Sequence, residues 1–104
     1  MTSPQPEKRK QKRFKVKVPV KVDGRAALSA ETRDISASGI FLYLNQECTP
    51  GSEVQLVLTL PKEVGFAQPQ MMLCHSRVTR VEPAGEGKYG IAVAIDKFEV
   101  MPQI

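Results

Sequence analysis

Two short clusters carry residue types that could recognise a nucleotide. The first is Arg9-Lys10-Gln11-Lys12-Arg13, an R-x-x-x-R spacing. A guanidinium is a planar fork that donates paired hydrogen bonds to phosphate oxygens or to guanine O6 and N7, and its face can stack on a base. The second is Asp34-Ile35-Ser36-Ala37-Ser38-Gly39, a D-x-S-x-x-G. There Asp34 offers acceptors for the N1–H and N2–H₂ edge of guanine, and Ser36 adds a hydroxyl. Gly39 supplies a backbone free to adopt positive φ and to approach a ligand closely. Each cluster has a plainer reading. Arginines arise readily in a basic tail, and an Asx or Ser turn between strands would use Asp34 and Ser36 only on local amides.

Other chemistry lacks support. Gly85-Glu86-Gly87-Lys88-Tyr89-Gly90 matches G-x-G-x-x-G, but a strand follows where the dinucleotide fingerprint needs a helix, so it reads as a hairpin turn. His75, the single histidine, has no second ligand nearby and reads as a surface or satisfied core residue. Cys48 and Cys74 form no C-x-x-C pair, which argues against zinc and thioredoxin-like redox chemistry. No Ser-His-Asp arrangement, paired catalytic carboxylates or P-loop is visible, so the chain is read as a binding protein without enzymatic activity or a cofactor. Arg77 and Arg80 differ in strand parity and are expected on opposite faces, one of them a candidate for the ligand surface.

The elements that must position these residues follow from alternation. Phe14, Val16, Val18, Val20 and Val22 fall on one face of a strand, with Lys15, Lys17, Pro19 and Lys21 on the other. Asp23-Gly24 marks a turn into a weakly patterned second strand ending near Arg33. Residues 39–44 are apolar on both faces, as in a strand covered on both sides. After the turn at Thr49-Pro50-Gly51, Val54, Leu56, Leu58 and Leu60 alternate again. Residues 61–69 read as a loop. Strands over 71–81 and 89–95 complete the set, joined by a turn containing Pro83, Gly85 and Gly87. About six strands without an amphipathic helix imply an all-β fold, a small antiparallel barrel or closed sandwich.

The chain has 104 residues, enough for one core. Residues 1–8 read as a flexible arm, 9–98 as the barrel domain and 99–104 as a tail. Of the 15 Lys and Arg, nine lie within residues 1–25, against Glu7 and Asp23, and the remainder of the chain is net acidic. An anionic partner is therefore expected at the N-terminal arm and first strand. No apolar run approaches the roughly 20 residues of a membrane span, and the N-terminus lacks an apolar signal region, so a cytoplasmic location is expected.

Taken together, the two clusters, 20 residues apart, resemble the paired signature of the PilZ domain family. The resemblance extends through the strand over 14–22, the Gly39-Ile40-Phe41-Leu42 run and the Tyr89-Gly90-Ile91-Ala92-Val93-Ala94 stretch. It implies a six-stranded antiparallel β-barrel with a flexible basic N-terminal arm. The expected ligand is the bacterial second messenger cyclic di-GMP, with Arg9 and Arg13 gripping phosphates and guanines. Asp34, Ser36 and Gly39 would form the barrel-side platform. Ligand binding would change the conformation and regulate a downstream protein partner. Contacts from the longer C-terminal helix of many relatives are not expected here. The competing reading is a basic barrel that binds RNA or single-stranded DNA, which the scarcity of exposed aromatics flanked by basic residues disfavours. A third is an interaction module without ligand.

Overall fold

A computed structural model describes residues 13–23, 30–62 and 68–101. Its six strands are β1 (Val20–Val22), β2 (Ala30–Ile35), β3 (Gly39–Leu44), β4 (Glu53–Leu60), β5 (Gln70–Gly85) and β6 (Lys88–Val100). All pairings are antiparallel, and the strands lie in the order β1-β4-β5-β6-β3-β2 in one curled sheet. The all-β barrel-like architecture is the one expected from the strand pattern.

Alternation determines which side chains turn inward. Ile40, Leu42 and Leu44 of β3 meet Leu56 and Leu58 of β4, Met72 and Val78 of β5, and Ile91 and Val93 of β6 in one buried cluster. Burial of each such side chain contributes about 1.5–3 kcal/mol. The β3 strand is covered on both faces as its composition predicts: Phe41 points outward, yet is only 3% exposed.

The first strand is shorter than its alternation suggests. Side-chain burial alternates from Phe14 to Val22, but only residues 20–22 form a ladder with β4. The preceding residues bond to β2 instead. Phe14 exchanges backbone hydrogen bonds with Ile35 at 2.8 and 3.0 Å, and the Thr32 N–H donates to the Val18 carbonyl at 3.0 Å. Pro19 has no N–H to donate and marks the change of partner. One extended segment thus joins the β1 and β2 edges of the sheet and covers backbone groups that would otherwise be exposed. Thr32, 1% exposed, reinforces the seam: its hydroxyl accepts from the Val18 N–H at 3.0 Å and donates to the Val16 carbonyl at 2.6 Å.

Two turns are built as their residues require. Pro50-Gly51, with Gly51 at φ 92°, has the glycine that a type II turn needs at its third position. Between β5 and β6, Glu86 and Gly87 both have positive φ, as in a type I′ hairpin, so the glycine-rich stretch is a turn and no nucleotide fingerprint. Pro83 and Gly85 belong to β5, which runs past the expected end at Val81, and β6 continues past Ile95 to Val100.

Candidate functional site

The two sequence clusters meet at the rim where the segment leading into β1 crosses β2. Arg13 donates from Nε and Nη2 to Asp34 Oδ1, at 3.0 and 2.7 Å, and its Nη1 lies 3.4 Å from Ser36 Oγ. Ser36 Oγ donates to the Gly39 carbonyl at 3.2 Å, and the Ser36 N–H donates to the same oxygen at 2.8 Å, closing the short link from β2 to β3. Arg13, Asp34, Ser36 and Gly39 are therefore brought together. Arg9 lies outside the described residues.

Asp34 is not the local turn acceptor of the plainer reading. Its side chain is 6% exposed, and its second oxygen accepts from Arg33 Nε at 2.8 Å. Burial alone pushes the carboxyl up, but hydrogen bonds from Arg33 and Arg13, together with their charges, outweigh it and hold the group below its ordinary value. A buried, ionised carboxylate gripped from two sides results. Ser36, by contrast, does bond within its own turn.

Gly39 has a different requirement from the one its type suggests. Its φ is not positive, and a Cβ there would lie 2.8 Å from the Val93 carbonyl oxygen across the β3–β6 ladder. Close strand approach, rather than a left-handed backbone, demands glycine.

Arg33 is the residue that strand parity conceals. Neighbours in a regular strand face opposite ways, but the register shifts between Thr32 and Asp34, which pair with Leu42 and Phe41. That bulge brings Arg33 beside Asp34, with its guanidinium 3.9 Å from the Phe41 ring centroid. The sequence hint was only the adjacency of a guanidinium and a carboxylate. A second bulge corrects the expectation for Arg77 and Arg80. Arg77 pairs with Ala94 and Arg80 with Ala92, alternate residues of β6, because Thr79 is the extra residue between them. Both arginines share the outer face. Arg77 donates to Asp96 at 2.8 Å, and Arg80 lies 3.7 Å from Glu82 and 6.0 Å from the Phe41 ring.

Elsewhere the chemistry is quiet. His75 pairs with Glu99 at 2.9 Å. Both cysteines are free, and burial pushes the Cys74 thiol up to about 11, away from thiolate reactivity. Among the described residues no group of His, Cys, Asp and Glu could hold a metal ion, and no helix is long and apolar enough to cross a membrane. An apolar cleft of about 300 Å³ opens between Phe14, Leu60, Met72 and Phe98, and among the described residues no charged side chain lines it.

A small curled barrel whose leading arginine is tied to an Asp-x-Ser-x-x-Gly turn at its rim defines a class of compact β domain. The sequence profile of the PilZ domain matches residues 7–100, and the chain belongs to that family. Among solved structures it is similar to the Bacillus subtilis inhibitor of motility, MotI/DgrA, with a TM-score of 0.70 and 18% identity over 90% of this chain. The likeness at that identity is one of fold, and the chain spans 44% of the length of that protein. No curated protein sequence matches it.

Proposed function

We propose that this protein is a receptor for cyclic di-GMP, binding it on the outer barrel rim and passing the signal to a protein partner. The observation that carries the reading is that Arg13, distant in sequence, converges on Asp34 and Ser36 in one small patch. A cyclic dinucleotide offers two phosphodiesters for guanidinium forks and two guanine edges for a carboxylate. In this reading Arg9 and Arg13 form a cationic strap that closes over the ligand. Asp34 and Ser36 read the base, and Gly39 keeps the rim low. The small side chains of Ala92 and Ala94, opposite Phe41 and Gly39 on β6, leave room for a flat ligand. The role is that of a binding adaptor rather than a catalyst. Closing the strap would present a new surface to the partner.

Nucleic-acid binding is less well supported. Phe14 lines the apolar cleft and Phe41 is buried beneath Arg33, so neither offers a free face on which a base could stack.

Calorimetric titration tests the proposal, with GTP, cyclic di-AMP and single-stranded oligonucleotides as controls. Saturable binding of cyclic di-GMP, much tighter than that of cyclic di-AMP, is expected, because adenine presents a different donor and acceptor pattern to Asp34. Equal affinities would remove Asp34 from base recognition.

A further inference from the structure

The carboxylate of Asp34 has a limited number of acceptor positions. Each oxygen accepts about two hydrogen bonds. Arg13 occupies Oδ1 with both Nε and Nη2, whereas Arg33 occupies Oδ2 with Nε alone. Two donors from a guanine edge can engage both oxygens only if Arg13 withdraws from Oδ1. Withdrawal of Arg13 toward a phosphate would leave a buried carboxylate with Arg33 as its sole charged neighbour among the described contacts.

Arg33 is built to stay. Its guanidinium lies over the Phe41 ring at 3.9 Å, while among the described residues Arg13 has no comparable aromatic support. Phe41 is itself held flat against β6 by Gly90, where a Cβ would come within 2.7 Å of the ring. Arg80, paired with Glu82, lies 6.0 Å from the ring centroid. Tyr43 sits edge-on to Phe41 at 5.6 Å and adds a weak interaction with Arg33. The Gly90–Phe41–Arg33–Asp34 chain crosses three strands and ends on the residue assigned to base reading.

We propose that Arg33 is a positioning residue for Asp34. It orients and neutralises the carboxylate through Oδ2, so that Arg13 is free to exchange Oδ1 for the ligand. This inference rests on the cyclic di-GMP reading for its ligand, but its arrangement of groups can be tested without one.

The test uses the full chain with Arg33→Gln and Arg33→Lys, substitutions of a half-exposed side chain outside the inward-facing cluster. Two quantities are measured: cyclic di-GMP affinity by calorimetry between pH 4 and pH 7.5, and the Asp34 carboxyl titration by carbon NMR in ligand-free protein. Arg33→Gln removes a charge-assisted hydrogen bond and should weaken binding by about tenfold at neutral pH. Losing the Arg33 cation lets Asp34 take up a proton at higher pH, so its titration, and the acid loss of binding with it, should both move upward. Arg33→Lys keeps the charge without the planar fork and should fall between the two. Unchanged affinity and an unchanged Asp34 titration in Arg33→Gln would overturn the proposal. So would weaker binding with an unmoved titration, since Arg33 would then be touching the ligand itself. If wild type binds no cyclic di-GMP, the functional reading fails, and the Asp34 titration alone decides whether Arg33 governs this carboxylate.

Discussion

Arg13 and Asp34 illustrate how one contact can look structural and still serve recognition. The Arg13 side chain is 53% exposed, so solvent screens its bond to Asp34 and its worth to stability is small, below about 1 kcal/mol. A ligand that excludes this water would give the same guanidinium far more weight. Arg13→Ala should therefore weaken cyclic di-GMP binding by about 2–5 kcal/mol while leaving the urea midpoint nearly unchanged. Arg13→Lys separates fork from charge and should bind substantially worse than wild type even at low salt. Normal binding by Arg13→Lys, with affinity tracking only the number of positive charges, would make the arm a nonspecific electrostatic tail. At this scale the sequence was informative about residue types: Arg13, Asp34, Ser36 and Gly39 do converge. The partner of Asp34 Oδ2 was not legible, because strand parity sends Arg33 to the other face and only a backbone bulge returns it.

Among the elements, legibility followed burial. The strands over 39–44 and 53–60 were readable because burial shapes their composition: the first is apolar on both faces and the second keeps an apolar period of two. The far ends of β5 and β6 were not, since Glu82–Gly85 and Asp96–Val100 are exposed and nothing selects for alternation there. The ladder between the two strands sets both ends: Glu82–Gly85 pair with the start of β6, and the end of β6 pairs back along Met72–His75. The leading segment failed differently. Its alternation is real, but period says which face is buried and not which neighbour supplies the ladder, so the switch from β2 to β4 at Pro19 was invisible. Thr32 is the sharpest probe of that switch, because it satisfies one N–H and one carbonyl of the leading segment from a buried position. Thr32→Val keeps the shape and removes the hydroxyl, leaving both groups short of a partner. We expect a loss of about 1–3 kcal/mol in urea unfolding. A loss below about 0.3 kcal/mol would mean that this seam does not hold the two sheet edges together.

For the molecule as a whole, charge and architecture combine to separate attraction from recognition. Residues 1–25 carry nine of the 15 Lys and Arg, among them Lys15, Lys17 and Lys21 along the exposed side of the leading segment and β1. Such a stripe attracts any anion. The outer rim offers what the stripe lacks, a buried carboxylate between two guanidiniums beside small residues of β6. Where a ligand settles is thus the decisive question, and amide chemical-shift mapping during titration with cyclic di-GMP answers it most directly. Saturable shifts are predicted at Arg13, Asp34, Ser36, Gly39, Ala92 and Ala94, absent with cyclic di-AMP at the same concentration. Shifts spread along Lys15, Lys17 and Lys21 that fade with salt and arise equally with either dinucleotide would contradict the account.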